Sequence, residues 1–147
     1  MIYALLVVPK ISKILRFLIL VKLISSAIIA KNFGLIELRI WDLSPHLLCR
    51  NHLLGEHREL HAMWAVITEK KTGYSKHPET IRWNGKLKAM YLRHEKLVLE
   101  MKSRGYNHKS SLDKRKAIGK SIQNEFVNTI SEQIEILKNK NCDCKLI

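Results

Sequence analysis

The chain has 147 residues, with 26 Lys and Arg against 13 Asp and Glu and a formal net charge of +13. That length supports one modest core and excludes two comfortable domains, while a field of that sign draws in phosphates or an anionic membrane surface before any specific contact forms. Three cysteines, Cys49, Cys142 and Cys144, are too few and too oddly spaced for a disulfide framework, and they read as reduced thiols of an intracellular, cytoplasmic chain.

Residues 1–30 are Ile, Leu and Val interrupted by Lys10, Lys13, Arg16 and Lys22, whereas from Arg39 onward the composition is mixed and rich in paired charges. A membrane span wants roughly 18 or more consecutive apolar residues, and here charges divide the stretch into residues 1–9, 17–21 and 23–30. A secretory signal puts its basic residues before its apolar run, but this run begins at once. Three readings remain for residues 1–37: an irregular anchor, an amphipathic surface helix, or translated upstream sequence that is not part of the functional protein. Subtracting the five basic residues and one acidic residue of this leader from 26 and 13 leaves 21 against 12, so the basic excess belongs to residues 38–147.

In "WDLSPHLL", Ser44 is an N-cap candidate and Pro45 stands in the first helical position. A long helix is predicted over residues 50–70, where Leu53, Leu60, Trp64 and Ile67 fall within about 60° of one another as a core stripe. "KKTGYSKHPET" reads as a loop from its Gly, Ser and Pro content. Over residues 84–104, Leu87, Met90, Tyr91, Leu97, Val98 and Met101 repeat at helical spacing, and Gly105 fits a helix stop. "YNHKSSLDK" is again a loop, and a third helix is predicted over 118–140 from Ile122, Phe126, Ile130, Ile134 and Leu137. No strand-like alternation occurs. The expected fold is all-α, one compact domain of three main helices without an internal repeat.

The stretch "GEHRELH" raises the question of chemistry. His57 and His61 stand four apart, a spacing that can bind zinc, but the metalloprotease pattern needs Glu directly after the first His, and Glu59 projects about 200° away from His57. Both histidines lie near the Leu53 and Trp64 stripe and read as core or surface residues. Cys142 and Cys144 form a lone C-x-C in a polar tail with no partner pair, which reads as a frayed terminus. Neither a metal site nor a cofactor is expected. Glu59 has Met63 and Val66 as helical neighbours, and an apolar rim raises a carboxyl pKa, which suits a proton shuttle. The alternative is a solvated glutamate on a helix face.

"RIWDLSPHLLCRNHLLGEHREL" and "GKLKAMYLRHEKLVLEMKSRGYNHK" resemble the pyrimidine-dimer DNA glycosylase family, over about residues 38–110. The resemblance rests on "HL", "E-x-R-E-L" at 56–60 and "R-G-Y-N" at 104–107, in that order and spacing. It implies a compact all-α domain that needs no cofactor, and a nucleophile that is the α-amine of the mature N-terminus. That amine attacks C1′ of a damaged nucleotide, expels the base and leaves an imine, after which β-elimination cuts the strand. The family's essential glutamate falls on Glu59 and its adjacent phosphate-binding arginine on Arg58. A second family arginine falls on Ala62, and the family's aromatic C-terminal segment is absent from a chain ending "CDCKLI".

Counting back from Glu59, the resemblance places the N-terminal residue at Leu38, directly before Arg39. An α-amine has a pKa of about 7.7–8.0 against about 10.4 for lysine, so far more of it is unprotonated at neutral pH and able to form a Schiff base. A backbone amide has no such lone pair. The functional protein is therefore expected to start at or near Leu38, whose codon can act as an alternative start.

The implied partner is duplex DNA with damaged bases, bound by a monomer. Arg39, Arg50, Arg58, Lys86, Lys88, Arg93, Lys102, Arg104, Asn107 and Lys109 are candidate contacts around a kinked duplex, with His57, His61 and Trp64 near the site and Trp64 better suited to the core. The competing readings are a non-catalytic nucleic-acid-binding protein on the same scaffold, and a basic domain attached to a membrane by a genuine leader.

Overall fold

The computed structural model describes residues 38–146, so the readings placed on residues 1–37 lie outside the described residues. Within them there are four helices and no strand, as an all-α domain requires. A 3₁₀ turn over Pro45–Leu47 precedes α1 (Arg50–Thr68); α2 (Pro78–Ile81), α3 (Leu87–Ser103), a second 3₁₀ turn at Lys114–Lys116 and α4 (Ile130–Lys138) follow. No helix among the described residues is long and apolar enough to cross a membrane.

Helix α1 forms because apolar residues recur at helical spacing and bury one face. Leu53, Leu60, Met63 and Trp64 all enter the core. α3 presents Leu87, Met90, Leu97 and Met101 to the same cluster, and the two long helices pack against each other. Fully burying side chains of this size contributes about 1.5–3 kcal/mol each, so this pairing is the backbone of the fold. Gly105, at φ +76, ends α3 in the left-handed region expected of a helix stop.

The segment before α1 is extended rather than helical, and it is covered: Leu38, Ile40, Trp41, Leu43 and Leu48 are all buried in the core. Three polar side chains hold it from several directions. Ile40 N donates to Glu79 Oε1 (3.2 Å) and Asp42 N to Gln133 Oε1 (2.8 Å). Arg82, itself buried, donates to Asp42 Oδ1 (2.9 Å), to the Ile40 carbonyl (2.8 Å) and to Glu79 Oε1. Short as it is, α2 serves to deliver Glu79, with Pro78 opening it and the His77 ring accepting from the Glu79 amide.

Two elements differ from the sequence expectation. Part of the predicted "KKTGYSKHPET" loop is helical, since α2 begins at Pro78. The third long helix is shortened to Ile130–Lys138, and residues 118–129 are irregular. The reason lies at the start of α3. Lys88 and Ala89 carry helix-end amides that lack partners within the helix, and they donate to the carbonyls of Ile118 (2.8 Å) and Lys120 (3.0 Å), while Lys120 N returns a bond to Gly85 O (2.9 Å). Gly119 sits there at φ +83, with Gly85 O 2.1 Å from where a Cβ would lie. Ile118, Ile122 and Phe126 are consequently exposed instead of forming a core stripe. α4 starts where a capping box, Thr129 with Glu132, supplies an N-terminus.

Candidate active site

The pinned segment ends against α1. The backbone amide of Arg39 donates to Glu59 Oε2 at 2.5 Å, twenty residues away in sequence. Leu38 is therefore one residue from a carboxylate at mid-helix, and its side chain is buried. The Arg39 guanidinium donates through Nη1 to Asn128 Oδ1 (2.8 Å) and lies over the Trp41 ring. Together with the bonds of Ile40 and Asp42, these contacts fix the position of residue 38 on α1.

The other α1 glutamate has a different environment. Glu56 is fully buried and takes a bidentate pair from Arg93, 2.7 Å to Oε1 and 2.9 Å to Oε2, while Arg93 Nη1 also donates to the Leu43 carbonyl. Burial pushes the Glu56 carboxyl up to about 7 against the pull of Arg93.

The candidate DNA-contact residues divide by location. Arg50, Arg58, Lys88, Lys102, Asn107 and Lys109 are exposed. Arg58 lies next to Glu59 on α1 and donates to the Leu54 carbonyl at 3.3 Å. Three others are engaged inside the protein. Lys86 is buried and bonds Gln123 and Glu125, Arg93 holds Glu56, and Arg104 pairs with Glu100 (2.7 Å) while donating to the carbonyl of Leu48. Trp64 is a core residue.

His57 follows Glu56 on α1 and precedes exposed Arg58, and His61 stands one turn further on. His57 is buried, and both rings join His94 of α3 and His108 of the following loop in one cluster with ring centroids 4.6–5.4 Å apart. Burial, with the neighbouring imidazoles acting in the same direction, pushes His57 down to about 4 and also lowers His61 and His108. A second group corrects the reading of Cys142 and Cys144 as a C-x-C without partners: Cys49 and His52, at the start of α1, lie against them. The sequence signal was present as C-x-x-H at 49–52, but nothing local joins it to a tail ninety residues away.

A small, basic, all-helical domain whose first residues are fixed beside a glutamate of its longest helix is thus in place. Residues 38–114, just over half of the chain, match the family described as pyrimidine dimer DNA glycosylase, and the chain belongs to that family. Its enzymes are DNA glycosylases with apurinic-site lyase activity, acting on damaged DNA. Comparisons with curated proteins and with solved structures give no match.

Proposed function

We propose that the functional protein begins at Leu38, translated as methionine from an alternative start, and that its free α-amine is the nucleophile of a DNA glycosylase and apurinic-site lyase. The observation that carries this reading is the bond between the Arg39 amide and Glu59, which puts the nitrogen of residue 38 within a residue of a carboxylate. The start of the family match at residue 38 supports it.

The chemistry follows from those two groups. The unprotonated amine bonds to C1′ as the glycosidic bond breaks, and the base leaves with a proton. Opening of the sugar ring gives a protonated imine, whose positive charge the Glu59 carboxylate stabilises. Loss of a proton from C2′ then expels the phosphate at C3′ and nicks the strand, with Glu59 relaying the protons. The imine is itself the electron sink, so the reaction as proposed draws on no redox or metal group. C1′ is hidden in a stacked duplex, so binding must bend the helix or flip a nucleotide.

Exposed Arg50, Arg58, Lys88, Lys102, Asn107 and Lys109, together with Arg39, form the proposed DNA surface around a monomer working on the chromosome in the cytoplasm. Borohydride reduction on duplexes carrying photodimers or abasic sites tests the proposal. A trapped covalent complex is expected, whereas salt-sensitive binding with no trapped species would favour a non-catalytic binding protein.

A further inference from the structure

Two groups of metal-ligating side chains stand outside the proposed chemistry. The first is Cys49, His52, Cys142 and Cys144, whose ligand atoms all lie within 4.8 Å of one another. Cys49 Sγ and His52 Nδ1 are 3.2 Å apart, and Cys144 Sγ and His52 Nδ1 3.4 Å apart. A tetrahedral zinc with Zn–S of about 2.3 Å and Zn–N of about 2.0–2.1 Å separates its ligand atoms by roughly 3.5–3.8 Å, so small adjustments admit the ion. The local geometry explains why these four converge. Cys49 caps α1 and His52 lies three residues on, on the same face of the first turn. Cys142 and Cys144 are two apart in a non-helical tail, a spacing that puts both sulfurs on one side of the chain. Asn141, at φ +46, turns the chain out of α4, and Lys145 N donates to the Leu47 carbonyl at 2.7 Å.

We propose that these residues form a Cys3His zinc site that fastens the C-terminal tail to the head of α1. Three thiolates and one imidazole are a donor set suited to zinc, and four protein ligands leave no open position, so the site is structural. Binding links residues ninety apart and adds its free energy to folding.

The second group carries a second proposal independently. His57 and His61 stand one turn apart on α1, His94 comes from α3, and His108 follows the Gly105 turn. Their ligand nitrogens also lie within 4.8 Å of one another. Nε2 of His61 and His94 are 3.1 Å apart, as are Nε2 of His57 and His108. Glu95 Oε1 accepts from His94 Nδ1 at 2.9 Å, which is the outer carboxylate that turns a histidine's other nitrogen toward a metal. We infer a tetra-imidazole site for a divalent transition metal of the zinc class that locks α1 to α3. It sits on the far side of α1 from Glu59, since His57 and His61 each stand two residues from that glutamate.

Elemental analysis of the full chain, purified without a polyhistidine tag, is expected to give two metal equivalents per molecule. Cobalt reconstitution should add a thiolate-to-cobalt charge-transfer band. Cys142→Ser with Cys144→Ser should remove one equivalent and that band, while His61→Gln with His108→Gln should remove the other equivalent and leave the band. Cobalt binding by the unaltered chain without a thiolate band overturns the first proposal even if a variant fails to fold. A stoichiometry of one that persists together with the thiolate band, in the unaltered chain as in the histidine variant, overturns the second. A metal-free chain that binds no added zinc or cobalt overturns both.

Discussion

The Arg39 amide and the Glu59 carboxylate are joined at 2.5 Å, across an extended segment that Glu79, Arg82 and Gln133 hold in place. This bond holds the Glu59 carboxylate one residue along the chain from residue 38. If Glu59 relays protons and stabilises the imine, Glu59→Gln lowers strand nicking by about a hundredfold or more, the range of general acid–base catalysis. DNA binding should fall far less. Nicking assays run beside a binding titration check this, and equal losses in both would count against the assigned role.

Arg58 is exposed beside Glu59, and among the described residues its guanidinium bonds to the Leu54 carbonyl of its own helix. Arg58→Ala should weaken binding to damaged and undamaged duplex alike and reduce the dependence of log K on log salt by about one. Arg93→Ala acts differently, because Arg93 belongs to an internal ion pair.

Breaking that pair leaves a fully buried carboxylate uncompensated. Arg93→Ala is expected to lower stability by about 3–5 kcal/mol, read from urea unfolding. Glu56→Leu combined with Arg93→Met should recover much of the loss, since an apolar pair of similar volume removes the desolvation penalty of both charges.

Gly119 meets Gly85 O where a Cβ would stand and holds a φ of +83. Gly119→Ala should destabilise by more than about 1 kcal/mol and loosen the start of α3, since the carbonyls of Ile118 and Lys120 cap it. Hydrogen exchange at Lys88 and Ala89 reports the loosening directly.

The two long helices were legible because their apolar residues recur every three or four positions and that face is the one they bury. Residues 118–129 carry a similar period, yet their backbone is committed to the first turn of α3, a pairing that no local pattern announces. The Thr129–Glu132 capping box marks the true start of α4, and the helical period read over 118–140 runs straight through it. Glu59 and Arg58 were reached through the order of short motifs. The polar clamp on residues 39–42 and the gathering of four histidines are tertiary facts, since each member alone reads as an ordinary surface or core residue.

Residue 38 carries the central claim, and the trapped complex can be asked where its bond lies. After borohydride reduction on an abasic duplex, protease digestion and mass spectrometry of the native protein should place the sugar remnant on the α-nitrogen of residue 38, in a peptide with nothing before it. A remnant on a lysine side chain, or on a chain that still carries residues 1–37, would contradict the account.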